Sequence, residues 1–195
     1  MDAGLTPLWI SVKTSLLATV ITFFLGIGTA YLVANYKGKW RGIIDSIFTL
    51  PLVLPPTVLG FFLLIFFGKN GPAGKFLLQF DINLIFTWTA TVISAVVVAF
   101  PMMYRSSRSA FEQIDDNLIA AAKTLGMSKW KIFYKISVPL AWPGIIGGVV
   151  LSFARALGEF GATLMIAGNI PGKTQTMPLA IFFQVQAMNY KGAML

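Results

Sequence analysis

Thr14–Tyr36, Ser46–Gly68 and Ile82–Tyr104 each run for 23 residues without a single Asp, Glu, Lys or Arg. As a helix, such a run rises about 34 Å at roughly 1.5 Å per residue, enough to cross a hydrocarbon layer of about 30 Å. A fourth apolar stretch opens near Pro143 and reaches about Ala167, interrupted by Arg155 and Glu159. Buried helices of a large soluble protein are the alternative. That needs polar surface the chain lacks, because 56% of the residues are apolar and 11% charged, against roughly 25% charged in soluble domains. The reading is therefore an all-α, polytopic membrane protein. Residues 1–195 form one transmembrane domain with spans near 14–36, 46–68, 82–104 and 143–167, and a further span opening at about 192–195. No internal repeat, low-complexity tract or flexible linker divides it. The first apolar run is too long for the h-region of a signal peptide, and Asn35-Tyr36-Lys37 offers no small-residue cleavage site, so this span is expected to stay in the protein.

Fifteen basic residues against seven acidic ones leave a net charge of +8. On a soluble protein this bias suggests nucleic acid; here it orients the chain in a bilayer, and no nucleic-acid partner is expected. Lys37, Lys39 and Arg41 lie between the first two spans, and Arg105, Arg108, Lys123, Lys129, Lys131 and Lys135 between the third and fourth. Positive-inside then puts both loops in the cytoplasm, with the N-terminus and Gly168–Tyr190 outside a cytoplasmic (inner) membrane.

Histidine and cysteine are both absent. Zinc sites built on them, Ser-His and Cys-His nucleophile pairs, haem held by His and disulfides are thereby excluded. No Asp lies within a span, so an intramembrane aspartyl dyad is excluded as well. No catalytic residue, metal or cofactor is expected. Ala167-Gly168-Asn169-Ile170-Pro171-Gly172-Lys173-Thr174 resembles a phosphate-binding loop with its first Gly replaced. Such a loop needs a strand before it and a helix after it, whereas this one follows an apolar span on the outer side.

Two interruptions mark the spans. Pro51, Pro55 and Pro56 fall within Leu50–Pro56, where missing N–H groups break or kink a helix. This is either a packing kink or a broken helix at Pro55-Pro56 that turns backbone groups toward a solute path. Arg155 and Glu159 are spaced i, i+4 and share a face, with Gly158 and Gly161 beside them. Charge within a span faces a bundle interior or an aqueous path, so the pair reads as a gate or as a structural ion pair. Glu159 alone would also suit an ion-coupled secondary carrier.

The segment from Arg105 to Val138 is the most informative. Asp115 and Asp116 favour a helix start. Leu118, Ala121, Ala122 and Leu125 follow at helical spacing, and Gly126 suits a left-handed stop. Ser128 caps a second short helix expected to end at Lys135, before Pro139. The two helices project a small, alanine-faced knob suited to a partner's groove, or else the loop merely carries charge.

At these residues the chain resembles the permease subunits of binding-protein-dependent ABC importers. Their motif reads Glu-Ala-Ala, three residues, Gly, nine residues, Ile, one residue, Leu-Pro. Here stand Ala120, Ala121, Ala122, Gly126, Ile136, Val138 and Pro139 at the same spacing, with Ala120 in place of Glu and Val138 in place of Leu. Leu50–Pro56, Phe153–Thr163 and Gly168–Pro178 look like the molybdate branch, and sulfate permeases share a similar Arg-Ala-(Leu/Ile)-Gly-Glu-Phe-Gly core. The resemblance implies a homodimeric permease with two cytoplasmic ATP-binding subunits and an extracytoplasmic oxyanion-binding protein, coupled through the 105–138 loop. Its cargo would be molybdate, with tungstate as a close mimic and sulfate or thiosulfate as the alternative. Family members continue through a further complete span, so the chain looks short at its C-terminus.

Overall fold

The computed structural model describes residues 5–193, and within them every regular element is a helix. Three are long: α1 (Thr6–Asn35), α5 (Trp88–Glu112) and α8 (Val138–Leu157). They pack pairwise, with α5 between the other two. Their buried faces carry small residues and hydroxyls, among them Ser15, Ala18, Thr22 and Ala30 on α1 and Ser94, Ala95 and Ala99 on α5. The large apolar side chains of α1, Leu16, Val20, Phe24 and Leu32, point outward. This is the reverse of a water-soluble helix and suits a lipid surround, where close approach and interhelical hydrogen bonds hold helices together. Thr14 meets Thr91 at 3.3 Å, Trp88 Nε1 donates to Thr14 at 2.9 Å, and Ser94 meets Thr163 at 2.8 Å. Ser106 donates to the Gly144 carbonyl at 2.7 Å, joining α5 to α8. Each such bond contributes about 0.6–2 kcal/mol inside a membrane. Toward the far end of the bundle the core turns apolar, built on Ile27, Met103, Phe111 and Ile145.

The remaining elements are α2 (Arg41–Val53), α3 (Pro56–Phe67), α4 (Pro72–Leu78), α6 (Asp116–Thr124), α7 (Lys129–Ile132), α9 (Gly161–Ala167), α10 (Met177–Gln186) and α11 (Tyr190–Ala193). Among the described residues three helices, counting Lys129–Leu157 as one, are long and apolar enough to cross a membrane; α2 and α3, bent by 112° at their break, add a fourth if the pair is counted as one span.

Helix ends differ from the apolar runs in the sequence. The first helix begins at Thr6, with Pro7 in its first turn, and runs through Lys13, whose ammonium lies over the Trp88 ring at 3.9 Å. The helix within the third run begins at Trp88, not Ile82, since Thr87 caps it by accepting from Ala90 N, and it continues to Glu112. The fourth starts far earlier than Pro143. A π turn at Phe133–Ser137, closed by Val138 N–H to the Phe133 carbonyl, links α7 to α8 without a break. The expected stop before Pro139 is therefore absent: the wider turn shifts the hydrogen-bond register just ahead of a residue that has no N–H to give. This helix ends at Leu157, and α9 forms a separate piece. Gly168–Tyr190, read as an external segment, contains the apolar helix α10. Of the span expected at 192–195, residues 194–195 lie outside the described residues, and Tyr190–Ala193 form one helical turn.

Candidate functional site

Helix α6 projects at the end of the bundle where α1 and α5 finish and α2 begins. Asp115 caps it by accepting from Asn117 N at 2.8 Å. Asp116 in the first turn and Lys123 in the last complement the helix dipole. Its C-terminus closes as a Schellman motif: Met127 N–H donates to the Ala122 carbonyl at 3.1 Å and Gly126 N–H to the Lys123 carbonyl at 3.0 Å. Gly126 takes φ +74°, the left-handed conformation expected of it. Ser128 then accepts from Lys131 N at 3.3 Å and starts the next helix.

The outward surface of α6 differs from an alanine knob. Ala122 is buried, while Ala120 and Ala121 are exposed. Leu118 (51% accessible), Leu125 (82%) and, beyond the turn, Trp130 (76%) carry the outward apolar surface. Leu118, Ala121 and Leu125 lie at i, i+3 and i+7, so one stripe presents all three. Ile136 is half-buried in the π turn and Pro139 is exposed in the first turn of α8.

The two interruptions singled out in the sequence meet in space. The Pro55 carbonyl accepts from Val58 and Leu59 N–H at 2.9 and 3.1 Å, starting α3 after a two-residue break at Leu54 and Pro55. Helix α3 lies along α9 so closely that a Cβ on Gly60 would stand 2.7 Å from Ala162 Cα. Pro56 and Thr57 border Gly161, two residues beyond Glu159. Arg155 Nη1 donates to Glu159 Oε2 at 2.8 Å, and Ala162 N–H donates to Glu159 Oε1 at 2.8 Å. Glu159 is 2% accessible, whereas 27% of the Arg155 side chain remains accessible. The carboxylate thus ties the end of α8 to the start of α9. Arg155 keeps guanidinium donors beyond its one hydrogen bond among the described residues, beside a junction of two broken helices. That arrangement offers a positive, hydrogen-bonding group to an anion.

The segment resembling a phosphate loop does not serve as one. Lys173, Thr174 and Gln175 N–H all turn to the Ile170 carbonyl at 2.9–3.1 Å, and Thr174 Oγ1 accepts from Ile170 N and donates to the Gly168 carbonyl. The amides a phosphate would need are already used within the turn.

The sequence places Leu118 and Leu125 on the helical stripe of α6 but assigns its outward face to alanine, and it does not mark the charged cluster of Arg41, Asp45, Arg108 and Glu112 at the foot of α2 and α5. The i, i+4 spacing of each pair was its only signal.

Comparison with known proteins agrees with this architecture. The family described as binding-protein-dependent transport system inner membrane component matches residues 22–195. The molybdenum transport system permease protein ModB of Haemophilus influenzae is 47% identical over 163 residues, 83% of this chain and 71% of that protein. ModB of Escherichia coli K12 is 44% identical over 178 residues, 91% of this chain and 78% of that protein. The sulfate transport system permease protein CysT of Escherichia coli K12 is 33% identical over 184 residues, 94% of this chain and 66% of that protein. The crystal structure of an amino acid ABC transporter with histidines superposes with a TM-score of 0.63 at 19% identity, covering 98% of this chain and 82% of that one.

Proposed function

Because this chain belongs to the family of binding-protein-dependent transport system inner membrane components, we propose that it is the membrane-spanning permease of an ATP-driven importer whose cargo is molybdate. The observation that carries the substrate is the identity of 38–47% to molybdenum permeases against 33–34% to sulfate permeases. The chain is not itself an enzyme; hydrolysis belongs to ATPase partners, and an extracytoplasmic binding protein delivers the anion. Two copies of the chain form the pore, with two ATP-binding subunits beneath them.

In this reading α6 is the coupling helix. Leu118, Ala121 and Leu125 seat it in a groove of the ATP-binding subunit, while Ala122 and the Gly126 turn fix it to the permease. Ala120, where the family motif has Glu, leaves that contact apolar. Closure of the ATPase pair on ATP displaces α6 and switches the pore, as differential nucleotide binding to two conformations requires. Arg155, held by Glu159 at the Pro55-Pro56 break, lines the path and lowers the cost of bringing a dianion into a low-dielectric region. Molybdate uptake by proteoliposomes holding the complete complex tests the reading. A tenfold excess of sulfate should leave it largely intact; equal competition by sulfate would reassign the cargo.

In this reading α6 is cytoplasmic and Lys173 lies outside, across the cytoplasmic membrane; the basic residues of both loops support it. The chain is free of cysteine, so single cysteines at positions 129 and 173 report its orientation. An impermeant thiol reagent on intact cells should label 173 and spare 129. The opposite pattern would invert the topology and remove the coupling role.

A further inference from the structure

We propose that Arg41, Asp45, Arg108 and Glu112 form a charged joint that passes displacement of α6 to the broken helix α2–α3; this rests on the coupling role given to α6 above. Arg41 and Asp45 lie one turn apart on α2, and Arg108 and Glu112 one turn apart at the end of α5. Arg108 donates from Nη1 to Asp45 and from Nε to Glu112 Oε1 at 2.7 Å, and Arg41 donates to the same Glu112 oxygen. Tyr104 adds a hydroxyl donor to Asp45 Oδ1 at 3.0 Å. The charges therefore alternate across the two helices as Asp45–Arg108–Glu112–Arg41. Only 18% of the Arg108 side chain is accessible.

What makes this cluster decisive is how little else fixes α2. None of its residues is buried. Ile44 and Phe48 pack it against the core, with the Phe48 ring 5.5 Å from that of Phe100 and 5.2 Å from that of Tyr104 on α5. In hydrocarbon, sliding an apolar face from protein onto lipid costs little. Directional charged contacts then set where α2 sits.

The cluster also stands in series with the site. Glu112 is the last residue of α5, and residues 113–115 lead straight into α6. At its other end α2 passes through Leu54 into α3, which rests on α9 beside Arg155 and Glu159. An open cavity of about 500 Å³ lies between the cluster and the end of α1, lined by Tyr31, Asn35 and Asp116 among others. It leaves the α5–α6 corner room to shift against α1. Across it only Lys37 and Asp116 pair, at 3.8 Å with both side chains almost fully exposed, a contact of little strength.

The test uses the reconstituted complex with molybdate-loaded binding protein. Asp45→Asn should keep its ATP-binding subunits through purification, yet lose binding-protein-stimulated ATPase and uptake by about fivefold or more. The binding-protein concentration giving half-maximal stimulation should not move. Asp45→Glu should retain most of the stimulation, and the fourfold exchange R41E/D45R/R108E/E112R, which inverts every pair, should restore it. Normal stimulation in Asp45→Asn would overturn the joint while Gly126→Val still uncouples. If Gly126→Val itself behaves normally, the coupling role of α6 falls, and the joint with it. Should Asp45→Asn fail to insert, the fourfold exchange decides: an exchange that inserts but is not stimulated overturns the proposal.

Discussion

Gly126→Val should insert as the parent does, fail to retain the ATP-binding subunits and lose stimulated hydrolysis by tenfold or more. The cause is backbone conformation. At φ +74° nothing lies within 4 Å of an added Cβ, so no clash with a neighbour contributes. A β-branched residue at such a φ costs about 1–3 kcal/mol, and the turn relieves that strain by giving up the bonds from Met127 and Gly126 N–H to Ala122 and Lys123. With them goes the fixed angle between α6 and the helix from Lys129, and the Leu118–Ala121–Leu125 stripe no longer meets its groove. Substitutions should therefore rank by tolerance of the left-handed region, Asn best, then Ala, then Val. Co-purification of the two subunits checks this order. Full retention in Gly126→Val would reduce the loop to a basic tether.

Glu159→Ala has the second large effect, on stability. It leaves the Arg155 guanidinium unpaired and the Ala162 N–H without its acceptor. Breaking a buried ion pair costs about 3–5 kcal/mol; with 27% of the Arg155 side chain accessible, the lower figure of about 3 kcal/mol applies. That corresponds to a fall in Tm of roughly 6–12 °C for a chain of this size, measurable on the detergent-purified protein. Glu159→Gln keeps an acceptor for Ala162 and should fall less. Charge exchange between 155 and 159 is a poor test of pairing, because it would set a guanidinium where the α9 amide needs an acceptor. The better pair is Arg155→Met with Glu159→Gln. It should regain stability yet remain inactive in uptake if Arg155 meets the anion, and regain both if the pair is structural. An unchanged Tm in Glu159→Ala would contradict the tie between α8 and α9.

Local chemistry was legible in the sequence. The caps at Asp115 and Ser128, the left-handed Gly126 and the Arg155–Glu159 pair all depend on residues at most five apart, whose geometry a helix and its end dictate. The extent of the helices was less so. Apolar runs record contact with lipid or core rather than φ and ψ, so α1 and α5 outrun theirs and the π turn carries a helix past Pro139. Which of the alanines of α6 is buried depends on tertiary surroundings, which spacing does not specify: Ala122 is, and Ala120 and Ala121 are not. Contacts between distant segments were out of reach: Pro56 against Gly161, and α2 against the end of α5, join residues some 60 to 105 positions apart, and no periodicity links them. Of the cluster at Arg41, Asp45, Arg108 and Glu112, only Arg41 and Arg108 enter the sequence reading, as charge that orients the loops.

The alternative of an ion-coupled carrier places the whole burden on Glu159. Its two oxygens are already engaged by Arg155 and the Ala162 amide, which leaves it placed to join helices. The measurement that separates the two accounts is molybdate uptake into proteoliposomes containing the permease, its ATP-binding subunits and the binding protein. ATP is supplied on the side of α6 and no ion gradient is present. An ATP-driven permease takes up the anion under these conditions, stops when ATP or the binding protein is withheld, and is indifferent to a protonophore. Uptake without ATP that follows an imposed proton gradient would contradict it.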